Sequence, residues 1–72
     1  MREGILVYNK YEGRYDIYFD EQELYGGLHC GEAFEVKVGN RWKGTRIEMG
    51  CQREWYLVGF KTNALQGIRV RI

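Results

Sequence analysis

Residues 28–44 read LHCGEAFEVKVGNRWKG, and two readings compete for them. Either His29 and Cys30 open a chemical site, or the run is the middle of a small β-barrel whose Trp42 binds something at the surface. From Phe34 onward, Phe34, Val36 and Val38 alternate with Glu35 and Lys37, the period-two pattern of a half-buried strand. Gly39-Asn40 then interrupts the alternation with residues that favour a tight hairpin. The architectural reading therefore takes precedence over the chemical one.

The same period extends outward in both directions. Ile5 and Val7 form one alternating set, and Tyr15, Ile17 and Phe19 another. Trp55 and Leu57 alternate with Tyr56, Val58 and Phe60 on the opposite face, and Ile68, Val70 and Ile72 close the chain. The pattern predicts five or six strands, each with an alternating apolar face. Glu12-Gly13-Arg14, Gly26-Gly27, Gly39-Asn40 and Gly50 mark the turns, and no window sustains a helical stripe. Near Gly44 the alternation slips, because Trp42 is at an even position and Ile47 and Met49 at odd ones. A β-bulge there would bring all three inside, and without one Trp42 faces away from Ile47.

Length and composition bound the rest. A chain of 72 residues is one domain, 1–72, and at that size it buries only ~60% of the surface its unfolded state exposes. With 44% hydrophobic and 15% aromatic residues it orders nonetheless, and the aromatic residues supply much of the core. The N-terminal segment has only four consecutive apolar residues, Ile5 to Tyr8, too few for a signal-peptide core or a membrane span. A cytoplasmic setting is expected, with Cys30 and Cys51 as free thiols.

Charge is balanced overall and uneven along the chain. Residues 1–35 hold eight acids against three bases, and residues 36–72 hold eight bases against two acids, giving half-chain charges of −5 and +6. In a closed barrel such strands can pair with each other, and an isoelectric point near 7.8 lies well below that of a typical nucleic-acid-binding domain.

The chemical motifs are sparse. His29, Cys30 and Cys51 are one ligand short of a structural zinc site, and no second knuckle exists. Neighbours on a strand point to opposite faces, so His29 and Cys30 do not form a nucleophile and base; one is expected in the core and the other outside. Asp20, Glu21 and Glu23 read as solvated loop charges, since carboxylates are tuned for acid-base work only inside a shaped pocket. Gly26-Gly27 precedes a strand and not a helix, which excludes a phosphate-binding loop. No enzyme activity, cofactor or metal is expected.

From Glu23 onward, ELYGGLHCGEAFEVKV, RWKG and LVGFKTNAL resemble the spaced segments of SH3 domains. Glu23-Leu24 would open the diverging turn, Gly31-Glu32 would stand at its Gly-Asp, and Trp42 would be the first groove tryptophan. The resemblance implies an all-β fold: a small five-stranded SH3-like barrel, mostly antiparallel, with one short helical turn near Thr62 to Gln66 before the last strand. It also implies that no proline-rich ligand is bound, because Lys61 stands at the groove proline and Ala64 at the groove tyrosine. The whole chain further resembles a group of short, uncharacterised proteins of Gram-positive bacteria and their mobile elements.

What remains is surface recognition. Arg69 and Arg71 alternate with Ile68, Val70 and Ile72 and so point outward, and Trp42, Tyr56, Arg46 and Lys61 are the candidates to join them. Basic groups interleaved with aromatics suit single-stranded nucleic acid. The balanced charge places a protein partner ahead of it, with a mobile-element accessory protein that blocks a host factor as a third reading. With too few ligands for a metal site, the melting curve in a strong chelator is expected to match that in plain buffer, and loss of structure on chelation would overturn the metal-free reading.

Overall fold

A computed structural model describes residues 1–72. The chain forms seven strands and no helix: β1 Glu3–Asn9, β2 Arg14–Asp20, β3 Glu23–Leu24, β4 Ala33–Val38, β5 Arg41–Met49, β6 Trp55–Leu57 and β7 Arg69–Arg71. They make one antiparallel sheet in the order β3-β2-β1-β7-β4-β5-β6. The all-β, antiparallel expectation holds. The five-stranded barrel does not: there are seven strands, and the sheet stays open between two short edges, β3 and β6. Short edges limit pairing with other chains.

Two hairpins are built by local chemistry. Between β1 and β2, Asn9 Oδ1 accepts from the backbone N–H groups of Tyr11 and Glu12 at 3.0 and 3.2 Å, a side-chain turn that asparagine favours. Between β4 and β5, Gly39-Asn40 makes a two-residue turn, and Gly39 at φ 61° supplies the positive angle that such hairpins need. β7 then enters between the hairpins, pairing with β1 on one side and β4 on the other. The backbones of Arg2 and Ile72 extend that ladder by exchanging two hydrogen bonds, 2.8 and 3.0 Å.

The sheet wraps around one core of Leu6, Ile17, Leu28, Phe34, Val36, Ile47, Leu57, Leu65 and Val70. Most predicted faces point inward as expected. The exception is β1, where Leu6 is fully buried and Ile5 and Val7 face the outer side with Asp16 and Tyr18. Pairing decides this: Leu6 stands opposite Ile17, while Val7 stands opposite Asp16. Val38, at the hairpin end, is exposed instead of buried.

The alternative left open at Gly44 is decided, and two further expectations are corrected. No bulge interrupts β5 near Gly44, since the pairing of β4 with β5 keeps one register from Ala33↔Arg46 to Val38↔Arg41; Trp42 therefore faces away from Ile47. The segment from Thr62 to Gln66 has no helical turn. It runs irregularly into a turn where Ile68 N–H donates to Leu65 C=O at 3.2 Å, with Leu65 inserted in the core and Gly67 at φ 85°. His29 and Cys30 are both exposed, as is Cys51; the residue of that segment that fills the core is Leu28.

The segment between β3 and β4 crosses the open side of the sheet. Leu28 N–H donates to Tyr15 C=O at 2.8 Å, and at its far end Gly31 N–H donates to Ile47 C=O while Ile47 N–H donates to Glu32 C=O. Arg14 Nη1 reaches Leu28 C=O and His29 Nδ1, so His29 serves as an acceptor in this crossing.

Gly4 shows how closely the hairpin packs. A Cβ there would meet Tyr18 O at 2.6 Å and Ile17 Cγ2 at 2.7 Å, whereas one on Gly44 would meet nothing. Chemical denaturation is expected to show Gly4→Ala losing about 1–3 kcal/mol through overpacking. Gly44→Ala is expected to be neutral or to gain up to ~1 kcal/mol from a less flexible unfolded chain.

Candidate binding face

The outer side of the sheet carries the predicted site. Trp42 on β5 stands opposite Lys37 on β4, and the Arg71 guanidinium of β7 lies 4.5 Å from the centre of the indole ring. Lys37 Nζ lies 5.6 Å from the same ring. The indole is consequently half-buried under two cations, the arrangement in which a ring quadrupole attracts positive charge. Arg71 Nε also donates to Glu35, directly across the β4–β7 ladder, so one guanidinium joins a carboxylate to an aromatic ring.

The other predicted residues are distributed unevenly. Arg69 shares the face of Arg71 and lies 3.9 Å from Glu3. Arg46 Nε donates to Glu48 at 2.9 Å, and Glu48 stands opposite Tyr56. Trp42 with Arg71 and Arg69 thus forms one group, and Arg46 with Tyr56 a second, farther along β5. Lys61 lies in the loop after β6, in no salt bridge.

The acidic loop is partly neutralised. Arg2 makes two hydrogen bonds to the Glu23 carboxylate, 3.0 and 3.2 Å, and its guanidinium lies 4.0 Å from the Phe19 ring centre. Asp20 Oδ1 accepts from Gln22 N–H in its own turn. By contrast, Lys37, Arg41 and Lys43 form no salt bridge. Lys37 lies over Trp42, while Arg41 and Lys43 alternate with Trp42 along β5 and Lys43 Nζ lies 5.2 Å from the Phe60 ring centre. A cleft of about 380 Å³ at this hairpin end is lined by Val38, Arg41, Trp42 and Lys43.

Sequence reasoning missed the other half of this side. Val7 and Leu24 line a larger groove of about 510 Å³ together with Tyr8, Lys10, Tyr11 and Asp16. Leu24 is 57% exposed and Tyr11 90% exposed, while Asp16 is buried. The signal was present in the run Ile5 to Tyr8. Four apolar residues in one strand give both faces an apolar character, and only one face is needed for the core.

The chain belongs to a family described as a domain of unknown function, DUF5348, whose model matches residues 4–72. It is similar to a protein from the Gram-positive bacterium Ruminococcus gnavus known from a crystal structure, with 56% sequence identity, 99% of this chain and 100% of that chain covered, and a TM-score of 0.91. No curated protein sequence matches it.

The Glu35–Arg71–Trp42 arrangement is directly measurable. Arg71→Leu is expected to red-shift tryptophan emission and raise quenching of Trp42 by acrylamide. A double-mutant cycle of Arg71→Leu with Glu35→Gln should give a coupling of about 0.5–1 kcal/mol, modest because both side chains are about 30% exposed. Zero coupling with unchanged emission would show that the guanidinium does not hold this position in solution.

Proposed function

We propose that the protein is a non-enzymatic binding module that recognises a protein partner through the outer side of its sheet, with Trp42 as the aromatic anchor. One observation carries the reading. The three arginines expected to track phosphates each have a carboxylate partner: Arg46 with Glu48, Arg69 with Glu3, and Arg71 with Glu35. A face whose charges are already balanced, with an aromatic at one end and an apolar groove at the other, matches the mixed character of protein interfaces. It offers little free positive potential to a polyanion.

A second reading has its own support in the end of the β4–β5 hairpin. Lys37, Arg41 and Lys43 form no salt bridge there, with Lys37 over Trp42 and Lys43 over Phe60, cations beside aromatic rings of the kind suited to single-stranded nucleic acid. In either reading, we take the curled sheet as an opened variant of the SH3-like arrangement suggested by the spacing from Glu23 to Leu65. We take the setting as cytoplasmic, and keep a mobile-element accessory protein that inhibits a host factor as the alternative to both.

Affinity capture from native cytoplasm, followed by titration with the identified partner, separates the two. Trp42→Ala is expected to weaken the protein complex by more than ~1 kcal/mol, as for a hot-spot aromatic. Oligonucleotide binding should be undetectable at physiological salt. Tight binding of a single-stranded oligonucleotide, falling by ~0.7 log units per log unit of salt for each phosphate contact and lost in a Lys37/Arg41/Lys43 triple-alanine variant, would decide for nucleic acid.

A further inference from the structure

The groove on the outer side of β1 and β2 contains an unusual group for a chain this small. Asp16 is 5% exposed and is the one buried charged residue in the chain. Its Oδ1 accepts from Ile17 N–H at 2.8 Å and from Gly26 N–H at 2.9 Å, which fixes the carboxylate in place. Its Oδ2 accepts no hydrogen bond from the protein, and no lysine or arginine forms a salt bridge with it. No unpartnered side-chain oxygen in the chain is buried, so Oδ2 opens to solvent in the groove, where an arriving cation can pair with a carboxylate already held in place.

The groove around it favours a particular kind of cation. Val7 and Leu24 give apolar walls, and Tyr8 and Tyr11 stand at the rim. The face of Tyr11 is within reach of positive charge, since Lys10 Nζ already lies 5.5 Å from its ring centre. Lys10 is the only cationic residue lining the groove, and it occupies that ring instead of the Asp16 carboxylate. A single carboxylate cannot supply the several oxygen ligands that a hard metal ion requires. An alkyl stem ending in a positive head fits all three features: stem on the apolar walls, head at the carboxylate, and an aromatic face beside it.

We propose that this groove receives a basic side chain, arginine or lysine, from a partner polypeptide, with Asp16 as its counter-ion. The source of that side chain rests on the protein-partner reading above. The groove itself can be tested with no partner present, so failure here leaves the Trp42 result standing and the reverse also holds.

The probes are Nα-acetyl-arginine amide and Nα-acetyl-lysine amide, titrated into the 15N-labelled 72-residue chain and followed by amide shifts. Saturable shifts are expected at Val7, Asp16, Leu24 and Gly26 for at least one of the two. Asp16→Asn retains an Oδ1 acceptor for Gly26 while removing the charge, and it is expected to weaken binding by about tenfold or more. Nα-acetyl-citrulline amide, neutral and of nearly the same shape as the arginine probe, should not bind. Should Asp16→Asn fail to fold, Tyr11→Ala decides, because that side chain is 90% exposed. It is expected to weaken binding by about threefold through loss of the ring face. No saturable shift with either cationic probe, equal binding of the citrulline probe, or full affinity in the variant that folds would overturn the assignment.

Discussion

The crossing from Tyr25 to Glu32 is the constraint on which the rest of the molecule depends. It carries Leu28, with no exposed surface, into the core, and it ties β2 to β5 through backbone hydrogen bonds at both ends. Besides it, the two hairpins are joined by β7 with its flanking residues and by the hydrogen bond from Trp55 Nε1 to Gly13 C=O. Glu32 organises the crossing: one carboxylate oxygen accepts from His29 N–H at 2.9 Å and the other from the Tyr25 hydroxyl. That hydrogen bond, with some burial and the negative charge of Glu32, pushes the Tyr25 phenol above its ordinary ionisation range. Its contribution to stability is therefore present below about pH 10 and is lost as the phenol ionises at higher pH. His29, which invited a chemical reading, instead accepts a hydrogen bond from Arg14 within this crossing.

Strand identity was legible because alternation and turn residues are local signals. Phe34 with Val36, Ile17, Leu57 and Val70 all face the core as their spacing implied. β1 was harder for a physical reason: in Ile5-Leu6-Val7-Tyr8 every position is apolar, so a period of two cannot choose a face. The choice is made by Ile17 and Val70, residues distant in sequence. The Thr62–Gln66 segment failed differently, because its shape is set by Leu65 reaching the core and by Gly67 turning the chain, not by local propensity.

The candidate site was legible to the same depth. Outward placement of Arg69 and Arg71 follows from alternation alone, whereas that of Trp42 is decided by the unbroken β4–β5 register. Their partners do not, since Glu35 is 36 residues from Arg71 and meets it only through the β4–β7 pairing. The uneven charge of the two half-chains is likewise resolved in space, where Glu3 and Glu35 from the acidic half flank the arginines of β7. Asp16 gave no sequence signal, because burial of a lone aspartate depends on the backbone amide of Gly26, which arrives from another segment.

The central place of β7 has a consequence for the order of assembly. β7 follows both hairpins in the chain and is the strand both need as a neighbour, and Val70 must reach a core whose other members all precede it. Each hairpin can form early from local contacts, but neither can bury its apolar face until β7 docks between them. The sheet is in effect locked by β7, and a chain in which that strand has not yet docked exposes two unjoined ladders.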